Sequence, residues 1–230
     1  MIKTDKHRDY RIVGENKMKN VAVVLILAAA TAVFNTSDCR ANIVTLGFDC
    51  ITNNDPGDAA IGEAQLFVDV SDVFADQVLF TFRNTGPKQS SITEVYFDDG
   101  SLLGIASVIN NPPGVVFVEG AHPPELPGAM LLDPPFETTA GFLAESVPPQ
   151  PKKGVNPGEQ LSILFNLQDT RTYQNVINDL NTGEVRIGVH VTGFNSGGSE
   201  SFVAVPEPAT ITMLGLSAVF GLIRRRRIAS

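Results

Sequence analysis

Between residues 42 and 205 apolar and polar positions alternate in short runs, the period of strands with one face buried. Residues 65–70 place Leu66, Val68 and Val70 on one face, and residues 77–83 place Val78, Phe80 and Phe82 on one face. Residues 92–97 and 101–106 flank Asp98-Asp99-Gly100, where the Asp-Gly step predicts a hairpin turn joining two strands. Further strands are predicted at 43–48, 115–118, 160–166, 184–192 and 201–203. One helix is predicted over 173–181: Thr172 can cap it, Val176 and Leu180 share a face, and Gly183 stops it. Short strands separated by turns predict an all-β fold, an antiparallel β-sandwich with one short helix across an end.

Eleven of the fifteen prolines fall within 112–157. Proline lacks the donor a strand ladder needs, so this stretch is expected as long surface loops with short strand pieces, such as 135–143.

Both ends break the alternation. Residues 21–34, VAVVLILAAATAVF, form an apolar run too short for a comfortable membrane span, preceded by Lys17 and Lys19. That is the pattern of a signal peptide, read by the secretory translocon and signal peptidase. Small residues at Cys39 and Ala41 permit cleavage between Ala41 and Asn42, and Met18 is the expected true start. The other end divides into Pro206-Glu207-Pro208, an apolar run over 209–223, and Arg224, Arg225, Arg226 and Arg227. The prolines hold Glu207 extended, as a processing enzyme would need it. As a helix the run rises about 22 Å, short of a hydrocarbon core of roughly 30 Å but tolerable if the arginines snorkel. The arginine cluster stays cytoplasmic and leaves the preceding domain outside. The precursor is thus expected to carry a hydrophobic helix at each end: leader 1–41, β-domain 42–204, tail 205–230.

The tail resembles the PEP-CTERM sorting signal, with all three parts in order. The resemblance implies recognition around Pro206, Glu207 and Pro208 by exosortase, a membrane processing enzyme, then release to the cell surface or the medium. It further implies a Gram-negative bacterium, often one that makes exopolysaccharide or biofilm matrix. The β-domain resembles a domain common in PEP-CTERM proteins that has no assigned chemistry. That likeness rests on FDCITNNDPGDAAIGEAQLFVDV and RIGVHVTGFNSGGSESF, with ITEVYFDDG between them.

Charge narrows the partners. The whole chain carries a formal −8, but residues 42–205 hold six basic and twenty acidic side chains. A domain this acidic excludes nucleic acid and anionic lipid, and it repels acidic polysaccharide unless a cation bridges the two. Of the two cysteines, Cys39 falls in the leader, so Cys50 is expected as a lone buried thiol.

Catalytic patterns are absent, and no catalytic residue is assigned. Gly197-Gly198-Ser199-Glu200-Ser201 lacks the spacing of a nucleophile elbow, and the His and Cys residues lack zinc spacing. His190 is expected on a solvent-facing strand surface with Arg186, Gly188 and Thr192. The candidate cofactor is Ca²⁺: Asp49, Asn53, Asn54, Asp55 and Asp58 cluster as oxygen ligands would, although ordinary polar turns use the same residues. A carbohydrate site is the other candidate. It lacks the usual aromatic platform, since the chain has no Trp and the domain only Tyr96 and Tyr173. The reading is a non-catalytic exported surface or matrix protein sorted by exosortase. The alternative is a calcium- or carbohydrate-binding extracellular module, and a hydrolase comes third.

Overall fold

The computed structural model describes residues 42–74, 76–99, 103–111, 113–139 and 143–206. The strands are β1 (Ile43–Cys50), β2 (Leu66–Phe74), β3 (Gln77–Asn84), β4 (Ser91–Asp98) and β5 (Leu103–Ile109). They continue with β6 (Phe117–Glu119), β7 (Leu143–Ser146), β8 (Gln160–Leu167), β9 (Arg186–Thr192) and β10 (Glu200–Pro206). Two helices, α1 (Pro56–Gln65) and α2 (Tyr173–Thr182), complete the domain with a 3-10 turn at Ala129–Leu131.

The ten strands form one sheet in the order β5-β8-β3-β2-β1-β10-β9-β4-β7-β6, antiparallel at every ladder. The all-β antiparallel expectation holds, but two separate sheets do not form. A twisted sheet of this width curls on itself. Phe97 of β4 packs edge-on against Phe80 of β3 and Phe165 of β8, with centroids 5.2 and 4.8 Å apart, although those strands are remote in sheet order. The outermost strands also approach each other. The Asn110 side chain accepts from Phe117 N at 2.6 Å and donates to Phe117 O at 3.0 Å. The result is barrel-like, and the alternating apolar residues read from the sequence line its interior.

The predicted hairpin over Asp98-Asp99-Gly100 does not form. β4 pairs with β9 and β7, and β5 pairs with β8. β4 is buried on both faces, which requires a central place in the sheet, and its end is held by the ion pair of Asp98 with Arg186 of β9. A local turn signal loses to that demand.

The proline-rich excursion is more than surface loop. Ala121, Leu126, Ala129 and Phe136 pack on Tyr96 and Val203 as a second apolar cluster on the outside of the sheet. Gly188 makes this possible, because a Cβ there would overlap the Leu126 side chain. The strand piece expected over 135–143 is a correction: residues 135–139 are not strand, and β7 begins only at Leu143.

α2 matches the predicted helix. Thr172 and Asn175 form a reciprocal cap, Gly183 ends it at φ 81°, and Val176 and Leu180 are buried. Tyr173 ties it to the sheet by donating to Val70 O at 3.1 Å. α1 is a correction to the expectation of a single helix. Its signals were present: Asp55 as N-cap, Pro56 in the first turn and Asp58 close behind. Gly62 lets it lie directly on the Phe202 ring of β10.

Candidate functional site

Two parts of the domain bear on function: the sheet end where the tail leaves, and a polar cap at the opposite end. β10 runs between β1 and β9, and its last residue, Pro206, is paired with Leu46 of β1. A proline is tolerated at a strand end, where a ladder donor can be spared. At the same end β1 begins, and Asn42 O accepts from Asp72 N at 3.1 Å. The expected cleavage point after Ala41 and the start of the tail motif therefore flank neighbouring strands. Asn42 and Pro206 are both exposed. Ala41, Glu207, Pro208, Arg224, Arg225, Arg226, Arg227 and the apolar runs at 21–34 and 209–223 lie outside the described residues. Among the described residues no helix is long and apolar enough to cross a membrane.

The opposite end is organised around Glu200, which opens β10 and is buried. Its carboxylate accepts from the Thr52 hydroxyl, from Asp55 N at 2.6 Å and from the Cys50 thiol at 3.6 Å. Burial alone would raise this carboxyl. The Thr52 hydroxyl and the backbone N–H groups of Asn54 and Asp55 outweigh it and hold Glu200 below its ordinary value. Thr52 also accepts from Ser201 N at 2.9 Å, so the loop before α1 and the start of β10 are laced together.

The candidate calcium residues lie around this cap with separate tasks. Asp55 caps α1, accepting from Gly57 N at 2.7 Å. Asp58 accepts from the Ser196 hydroxyl, and Asn54 donates to Ser199 O at 3.0 Å. Asn53 adopts φ 48° and gives its N–H to the Cys50 sulfur. Asp49 points outward on β1 and is exposed. Among the described residues no three acidic, His or Cys side chains converge as a metal would require. Cys50 is free and half-buried rather than fully buried, and burial raises its thiol.

His190 is not solvent-facing in the expected way. Its Nδ1 lies 3.1 Å from the Ser201 hydroxyl, and burial lowers its pKa, opposed in part by Glu200. Ser201 is fully buried. In register with His190 on β4 is Glu94, also buried, and on its other side Glu145 of β7. Glu94 accepts from the Tyr96 hydroxyl at 3.0 Å, and that hydroxyl also lies 3.0 Å from Pro123 O. Burial pushes Glu94 up to about 7, with repulsion from Glu145 adding and the Tyr96 bond opposing.

Glu200 and Glu94 escaped the sequence reading. Glu200 follows a glycine-rich turn and looks like turn polarity. Glu94 does leave a trace, since it shares a face with Tyr96 in a run otherwise buried.

Residues 204–227 match the PEP-CTERM protein-sorting motif. The chain carries this sorting signal. The PEP-CTERM signal marks an exported protein that passes through a membrane-anchored intermediate and is processed by exosortase, a membrane enzyme. No curated protein and no solved structure matches the chain. The match begins at Ala204, so the PEP-CTERM signal starts inside β10, where Ala204, Val205 and Pro206 pair with Phe48, Gly47 and Leu46.

Proposed function

We propose that the chain is a non-catalytic structural protein of the cell surface or extracellular matrix, delivered there through its PEP-CTERM signal and released as the β-domain. The observation that carries this is the continuity of the signal with β10. Cutting at or beyond Pro206 leaves every ladder of the sheet in place. The non-catalytic reading is supported by how the reactive groups are spent. Ser201 is inside the sheet, its hydroxyl is engaged by His190, and Glu200 serves as a cap. The acidic surface keeps the released domain soluble and favours a neutral or cation-bridged exopolysaccharide over a bare acidic one.

The test is intact mass and terminal sequence of the protein from membrane and medium fractions of its native host. A product running from about Asn42 to the PEP motif supports export and sorting. A membrane product that keeps Arg224 to Arg227 reduces the tail to an anchor and overturns the proposal.

A further inference from the structure

We propose that the end of the β-domain bearing Ile43, Val73 and Phe74 rests on the lipid headgroups while the tail holds the protein in the membrane. This rests on the sorting-tail reading above. Ile43 is 61% exposed, Val73 40% and Phe74 63%. The other exposed large apolar residues lie elsewhere: Ile109 and Val118 on the outermost strands, Met130 and Leu131 at the 3-10 turn. Ile43 and Ser71 are partners across β1 and β2, so Val73 and Phe74 lie just beyond Ile43 in the same direction. Val73 is the extra residue of a bulge at the tip of the β2–β3 hairpin, where Phe74 is opposite Gln77.

The length of chain beyond β10 sets where lipid must be. Only Glu207 and Pro208 separate Pro206 from the apolar run that begins at Ala209. Fully extended, that step reaches roughly 10 Å. The headgroup layer on each side of the hydrocarbon is itself about 5–8 Å deep. Once Ala209 meets the hydrocarbon, Pro206 is therefore held within a few ångströms of the headgroups.

Pro206 is level with Leu46 of β1 and, through it, with Val68 of β2. From that level β1 continues outward for three residues to Ile43, roughly 10 Å, and β2 for six residues to Phe74, roughly 20 Å along the strand. The hairpin tip thus projects past the point where the tail leaves. Since only about 10 Å separates Pro206 from the hydrocarbon, the strands lie steeply inclined to the membrane normal when the tip rests among the headgroups. An apolar rim is what such a position favours, because exposed Ile, Val and Phe gain by entering the interface. Asp72 and Asp76 flank the rim, keep it at headgroup depth and favour zwitterionic over anionic lipid. The tether supplies the local concentration. Once the tail is cut, three side chains are too little to hold the domain, and it leaves.

The chain has no Trp, so a single introduced indole reports alone. The exported, membrane-held chain carrying Phe74→Trp is reconstituted into vesicles of phosphatidylcholine and phosphatidylethanolamine containing brominated phosphatidylcholine. Met130→Trp is the comparison, since its neighbour Gly128 packs on Ile51 and Thr52 at the far end of the sheet. A Leu214→Asp/Leu216→Asp companion tests the anchor. The expected result is quenched and blue-shifted emission from the Phe74→Trp protein, unaffected emission from the Met130→Trp protein, and a companion lost from membranes. Unquenched Phe74→Trp in a protein that stays with the vesicles overturns the rim but keeps the tail. Equal quenching at both positions also overturns it, because the domain then has no fixed orientation. A companion that remains in the membrane overturns the tail reading and the rim with it.

Discussion

Glu94 should make the stability of the β-domain fall as pH rises from about 5 to about 8, and Glu94→Gln should abolish that component. Glu94 is 5% exposed as a residue, and burial is the main reason its pKa is raised from 4.5 to about 7. The hydrogen bonding agrees. A protonated Glu94 can donate to the Tyr96 oxygen, which frees the single phenolic proton for Pro123 O. An ionised Glu94 competes with Pro123 for that one proton. The folded state therefore keeps a proton that the unfolded chain gives up above its ordinary value. Unfolding releases that proton, so its contribution is complete below about 4.5, declines as pH rises, and is gone above about 7. At about 1.4 kcal/mol per pH unit, the gap is worth about 3 kcal/mol. The assay is urea unfolding by circular dichroism at intervals of pH for both proteins, compared as a difference. His190, in register with Glu94, titrates nearby with the opposite sign, because burial lowers it. The difference between the two proteins removes that contribution. Glu145→Gln, which takes away the repelling neighbour, should shift the Glu94 transition to lower pH. The reasoning fails if wild type and Glu94→Gln differ by a constant amount from pH 5 to pH 8.

Glu200→Ala should cost about 3 kcal/mol in chemical denaturation, because Asp55 N and the Thr52 hydroxyl lose a buried acceptor. The Glu200 pKa lies below its ordinary value, so its contribution is present above about 4.5 and is lost as pH falls further; an acid titration of Glu200→Gln should lack that loss. Asp55→Ala should cost about 1 kcal/mol as a lost helix cap, equally in chelator and in added Ca²⁺; a larger cost with Ca²⁺ would reveal a metal role. A short Gly-Ser spacer between Val205 and Pro206 should speed removal of the tail, followed by mass spectrometry of the membrane fraction, because Pro206, Glu207 and Pro208 are then separated from the paired strand that Pro206 now ends. An unchanged rate would mean that the sheet does not limit access.

The alternation of apolar residues determined which segments are strands and which face of each is buried. β2, β3 and β8 therefore lie where the pattern placed them, within a residue or a few at their ends. The caps of α2 and the parts of the tail were equally readable, because each depends on residues close together in the chain. Strand partners were not. β4 leaves Asp98-Asp99 for β9 and β7, because a strand buried on both faces must be central whatever turn follows it. α1 was hidden because Asp55 and Asp58 suit a turn and a helix start alike, and only the Phe202 ring waiting above Gly62 favours the helix. The chemistry of Glu94 and Glu200 lay furthest from the sequence. Local pattern sets backbone period, but the charge a carboxyl can carry depends on which distant groups fold around it. Here one is left against Glu145 under a proline-rich cover, and the other is surrounded by donors.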